Sequence, residues 1–119
     1  MVNNNAMDYS SNQEIVLQQL IWALSAMEVA KRAMESRDIA KAHNHIVLAE
    51  KLLGELRGIL PEGTTAKDVL TPLYDNIINT LFISNITKDG SILDDSIAAM
   101  KIWINKWKIV VDESRDSRI

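Results

Sequence analysis

The stretch 39-IAKAHNHIVLAEKLLGELRGIL-60 decides the fold class. Within it Ile39, Ala42, Ile46, Ala49, Leu53, Leu56 and Leu60 recur in steps of 3, 4, 3, 4, 3 and 4. An apolar residue every three or four positions lines one side of an α-helix, and the strict heptad alternation is the seam of bundle helices crossing at about 20°. Pro61-Glu62-Gly63 closes the segment, because Pro lacks the N–H that continues a helix and Gly favours the turn.

The same period appears on either side. From Gln13 to about Ser36, Val16, Leu20, Ala23, Leu24, Met27, Ala30 and Met34 share one side, with Ser11 or Asn12 as the expected N-cap and Glu14 in the first turn. Arg37 and Asp38 break this helix. After Gly63, Thr64 or Thr65 can cap a third helix to about Asn85, with the seam Leu70, Leu73, Tyr74, Ile77, Leu81 and Ser84. Pro72 suggests that its regular part begins there. Lys88-Asp89-Gly90 is the next stop; Ser91, with Asp94 in capping-box position, is read as the cap of a fourth helix seamed by Leu93, Ile97, Met100, Ile104, Trp107 and Val111. Four such segments with short connections pack as an all-α, antiparallel four-helix bundle, up-down-up-down. The expected organisation is a flexible polar leader over 1–12, the bundle over 13–112, and a flexible tail over 113–119.

Composition agrees and narrows the function. With 119 residues the chain has one domain's length, and only four Gly, two Pro and 5% aromatic residues favour helices over sheets. Thirteen basic residues are scattered among sixteen acidic ones, net −3, so no basic patch invites nucleic acid. No apolar stretch reaches bilayer length, and the start lacks the basic and apolar regions of a signal peptide. Zero cysteines exclude disulfides and thiol chemistry and fit a cytoplasmic setting. His43 and His45 stand two apart, on different sides of a helix, and cannot chelate one metal. Neither Glu-x-x-His nor a glycine-rich phosphate loop occurs. The expectation is therefore no enzyme, no metal and no cofactor.

What remains is apolar surface beyond the seams: Ile15, Trp22, Ala26, Val29 and Ala33 on helix 1; Leu48, Leu52 and Ile59 on helix 2; Ile78 and Phe82 on helix 3; Ile92, Trp103, Val110, Ile102 and Ile109 on helix 4. Surplus apolar surface on a small domain marks a partner site. Trp22, Leu48, Leu52, Ile78, Phe82 and Trp103 are the contact candidates.

Across roughly residues 14–111 the chain resembles the flagellar secretion chaperone family, FliS. The resemblance rests on Glu14-Ile15-Val16-Leu17, Ala23, Ala30-Lys31 and Ala33; on Asn44, Ala49 and Glu55-Leu56-Arg57; on Leu73-Tyr74-Asp75, Leu81, Asn85 and Asp89; and on Trp107-Lys108. It departs where the family's first helix reads Leu-Tyr-Asp-Gly and this chain has Gln19-Leu20-Ile21-Trp22, and Tyr9 stands closer to helix 1 than the family's early tyrosine. The resemblance implies a cytoplasmic export chaperone that binds the disordered C-terminal segment of flagellin and prevents premature polymerisation. The alternative readings are a divergent homodimer or adaptor for another protein, and a metal or cofactor bundle enzyme.

Overall fold

The computed structural model describes residues 5–116, with side chains over 13–113. Four helices follow one another: α1 (Asn5–Glu35), α2 (Ile39–Gly58), α3 (Thr65–Thr87) and α4 (Asp94–Asp116), with a 3-10 turn, Gly90–Leu93, leading into α4. No strand occurs among the described residues.

The seams read from the sequence form the core. Leu20, Ala23, Met27 and Ala30 of α1, Ala42, Ile46, Ala49 and Leu53 of α2, and Leu81 of α3 are fully buried. Leu93, Met100 and Ile104 supply the side of the fourth helix. Ser84 holds a seam position because its hydroxyl donates to the Asp89 carbonyl (2.8 Å) and lies 3.4 Å from the Met34 sulfur, so the buried polar group is satisfied. Ile39 is the exception at 59% exposure: as the first residue of α2 it stands at the end of the bundle, where nothing lies beyond to cover it.

Cross-helix contacts fix the directions. Gln19 meets Leu52, Arg57 meets Asp75, His43 meets Asn85, and Trp107 meets Gln13. In each pair an early part of one helix faces a late part of the next, so α1–α2, α2–α3 and α1–α4 are antiparallel. The closest pair is α1–α2. Its facing residues include the buried alanines 23, 26, 30 and 33 of α1 and 42 and 49 of α2, and small side chains let helix axes approach. Helices α3 and α4 do not come close to one another as the other neighbours do; the 3-10 turn and large side chains span the space.

The connections explain the order. Helix α1 ends with Arg37 left-handed (φ 61°), its N–H on Met34 O and the Asp38 N–H on Ala33 O, a Schellman motif. Asp38 then caps α2, its carboxylate accepting from the Lys41 N–H at 3.2 Å. One three-residue link thus stops one helix and starts its antiparallel neighbour. Lys88, also left-handed, ends α3. Buried Gly90 lies so near α1 that a Cβ there would stand 3.2 Å from Lys31 Cγ and 3.3 Å from Lys31 O.

Several boundaries differ from the sequence expectations. Helix α1 begins at Asn5, so Ser11 and Asn12 are not caps and residues 5–12 are helical rather than a leader; no Gly or Pro precedes Gly54 to stop a helix. Helix α4 likewise runs through 113–116. Residues 1–4 and 117–119, the remainder of the expected leader and tail, lie outside the described residues. Helix α3 starts at Thr65, capped by Thr64, and continues through Pro72, whose ring sits on the exposed side, where the carbonyl left without its N–H can be hydrated. Ser91 does not cap α4: Asp89 accepts from the Ser91 N–H and hydroxyl, and the 3-10 turn intervenes.

Replacing fully buried Leu53 by Ala should cost about 2–5 kcal/mol in urea unfolding, through lost burial and a cavity. Arg37→Gly, which relieves a side chain from the left-handed region, should stabilise by up to about 1 kcal/mol in the same assay.

Candidate partner-binding faces

The six contact candidates fall on three faces. On α2, the His43 and Arg57 contacts mark the flank toward α3; Leu48, Leu52, Glu55 and Ile59 lie on the opposite flank, toward α1. Gln19 of α1 reaches that flank, its Nε2 donating to Leu52 O (3.0 Å) and Glu55 Oε2 (3.3 Å). One turn on from Gln19 is Trp22, and one turn back from Leu52 is Leu48. In an antiparallel pair these steps run the same way, which sets Trp22 level with Leu48 and Leu52. Trp22 is 56% exposed, Leu48 43%, and Leu52 is half-buried against the core. Ile15 and Ile59, both exposed, extend this strip at the far end of the pair.

On α3, Asp75, Ile78, Phe82 and Asn85 run down one line, and its two ends touch α2. Ile78 packs on the core while Phe82 is 55% exposed, and exposed Val47 of α2 belongs to the same α2–α3 face. This face carries the pair in which Asn85 Nδ2 donates to His43 Nδ1 at 3.0 Å, and the Arg57–Asp75 ion pair, which raises the Arg57 pKa mainly through its hydrogen bond. Burial raises the Glu50 pKa above its usual value, with His43 acting against it.

Trp103 belongs to neither face. It packs against the core from α4, its ring centroid 5.9 Å from that of Trp107 and tilted by 36°. Trp107 in turn donates its indole N–H to Gln13 O at 2.9 Å and ties α4 to α1. Beside Trp103 lies the buried Tyr74 phenol of α3. The two tryptophans and Tyr74 therefore fill the space between α3 and α4 that the backbones leave open. Trp103 is a half-buried bridging residue as much as a surface one.

Sequence reading passed over Val69, Ile83 and Ile86, which are exposed on α3 at 62%, 42% and 67%. They stand away from the seam line, and plotting α3 at 100° per residue would have found them.

Several charged groups near the candidate faces are paired across helices. Asp94 pairs with Lys31 rather than capping α4; this hydrogen bond is the main reason the Lys31 pKa is raised. Among the described residues, no group of three or more His, Cys, Asp or Glu could hold a metal, and no helix is long and apolar enough to cross a membrane.

A helical bundle whose outward apolar residues gather on faces agrees with a family profile that matches the chain, that of the family described as Flagellar protein FliS, over residues 2–114. The chain belongs to the FliS family. Membership covers nearly the whole chain and makes it a member of a flagellar chaperone family whose work is binding flagellar proteins. No curated protein matches it. The FliS match spans all four helices and both the Trp22 and the Phe82 faces.

Burial keeps the Tyr74 phenol above the ordinary value of 10.0, with the Trp103 side chain working the other way. In a Tyr9→Phe variant, which leaves Tyr74 as the sole tyrosine, the folded protein's phenolate absorbance should titrate above pH 10.0. Because the folded state prefers the neutral phenol, the associated stability is present below the unfolded tyrosine pKa and is lost as pH rises through the folded one. A midpoint at or below the model-peptide value would contradict the buried placement.

Proposed function

We propose that this protein is a cytoplasmic export chaperone that holds the C-terminal segment of flagellin and prevents its premature polymerisation. The observation that carries this reading is the FliS family match over residues 2–114. Apolar residues facing outward from a bundle support it, because a disordered amphipathic segment folds as a helix against such surfaces. Phe82, Ile78 and Val47 offer such a surface along α2–α3.

The binding mode suits a reversible chaperone. Ordering a disordered client costs roughly 2–5 kcal/mol of the gross interaction energy, so a large contact area can coexist with release. Apolar anchors supply affinity without any buried ion pair, which would have to be desolvated at each cycle.

Calorimetric titration with a C-terminal flagellin peptide from the same organism should show about one-to-one binding with a negative heat-capacity change. Phe82→Asp should weaken binding at least tenfold, about 1.4 kcal/mol, while leaving helicity intact, because the side chain is 55% exposed. Leu52→Asp is the contrasting case: Leu52 packs on the core, so this substitution should lower thermal stability as well. Absence of any binding to that organism's flagellins would overturn the reading.

A further inference from the structure

We propose that the outward side of α4 is a docking seam for an acidic amphipathic helix of another protein. The core side of α4 is the buried line Leu93, Ile97, Met100, Ile104 and Val111. Half a turn round from it, Ala98, Ile102, Asn105 and Ile109 follow in steps of 4, 3 and 4, all exposed, with both isoleucines at 58%. One helix thus carries the heptad spacing twice, once toward the core and once toward water. With Ile102 and Ile109 at a positions, Ala98 and Asn105 fall at d, Lys106 at e, and Lys101 and Lys108 at g. Between Ser96 and Val111 these lysines are the only charged residues, on a chain whose net charge is −3.

The e and g residues of such a seam choose its partner, because they flank the apolar line and face their counterparts across it. A second copy seated on the same strip would bring lysine to lysine whether the two helices ran parallel or antiparallel, which disfavours that pairing. A helix with an apolar seam flanked by Glu or Asp meets cations instead. Lys106 and Lys108 have no carboxylate within ion-pair distance among the described residues, while Lys101 lies 3.7 Å from Glu28 of α1 and is in part neutralised already. Lys106 and Lys108 are therefore the charges that select the partner. Asn105 sets one amide within the strip, a residue that fixes register when an amide stands opposite. Asp95 and Asp112 occupy the next seam positions at either end, so the apolar part is about three turns, roughly 16 Å, long. A seam this short suits weak, reversible docking. It shares no helix with the Phe82, Ile78 and Val47 surface, so a client there and a helix on α4 can be held together.

Calorimetric titration of the full chain with a synthetic peptide tests this, the peptide carrying about three heptads with Leu at a and d, Asn at one d, and Glu at every e and g. Its counterpart with Lys at e and g is the control. The acidic peptide should bind and the lysine peptide should not. Raising salt from about 0.1 M to about 1 M should weaken the binding, since the Debye length shrinks from about 10 Å to about 3 Å. The double variant Lys106→Glu, Lys108→Glu should keep wild-type helicity by circular dichroism, bind the acidic peptide at least tenfold more weakly, and gain binding to the lysine peptide. Should it fail to fold, Ile102→Ser, at a side chain 58% exposed, should give the same loss. Equal binding of both peptides, no binding of the acidic one, or a folded variant that binds it like wild type overturns the proposal. So does a wild-type protein that sediments with phosphatidylglycerol vesicles while ignoring the acidic peptide, because the lysines then serve a lipid surface. Competition between the acidic peptide and the flagellin peptide overturns it too, since the strip then belongs to the client. Flagellin binding is titrated on its own, and the double variant should bind that peptide like wild type, so failure of the seam and failure of the chaperone reading are distinguishable.

Discussion

Packing of α1 against α2 is the contact on which the remainder of the molecule depends. Each helix brings a line of small residues, Ala23, Ala26, Ala30 and Ala33 from one and Ala42 and Ala49 from the other, all buried. Their small side chains let the backbones come close, and the three residues from Ser36 to Asp38 hold them antiparallel with both helix ends satisfied. Helices α3 and α4 are then attached from opposite sides, α3 to α2 and α4 to α1, so their position follows from that first pair. A change that separated α1 from α2 would therefore act on all four helices at once.

The other end of that arrangement is the looser relation between α3 and α4. Since neither helix approaches the other closely, bulky groups do the spanning: Tyr74, Trp103 and Trp107 in the middle and at one end, the 3-10 turn with Gly90 at the other. Gly90 lets the turn rest on Lys31 of α1, where an added Cβ would stand at a tight 3.2–3.3 Å and require Lys31 to give way. Large side chains across a wider space and a side-chain-free residue at a narrow one are two solutions to the same geometric mismatch. In the sequence Trp103 stands out only as an off-seam apolar residue, Trp107 as a seam residue, and Gly90 as part of a helix stop.

The outward apolar residues of the bundle form a surface pattern that a binding protein can use. Several ionisable residues are engaged: Lys31 with Asp94, Arg57 with Asp75, and Asp89 with Ser91, whose hydrogen bonds lower the Asp89 pKa. The outward apolar residues are divided by the bundle's edges into separate faces. Division matters because a partner that wraps a bundle must meet several faces, whereas a rigid partner needs one. Phe82 and Trp22 lie on faces bounded by different helix pairs, α2–α3 and α1–α2.

The core and the helix count were legible in the chain itself. A seam repeats every three or four residues because one side of each helix must leave water, and that requirement is local, so Leu20, Ile46, Leu53, Leu81 and Met100 could be named from spacing alone. Helix ends were less legible: nothing in residues 5–12 or 113–116 forbids a helix, and Pro72 is tolerated within α3 because its side of the helix faces solvent. The six candidate contact residues were identifiable as apolar and off the seam, yet their grouping was not. Spacing gives a side chain's angle about its own helix axis; which neighbour stands at that angle, and at what height, is decided by how the helices pack. Tertiary structure alone therefore set Trp22 beside Leu48 and Leu52, put Ile78 with Phe82 on another face, and turned Trp103 inward to bridge α4 to Tyr74.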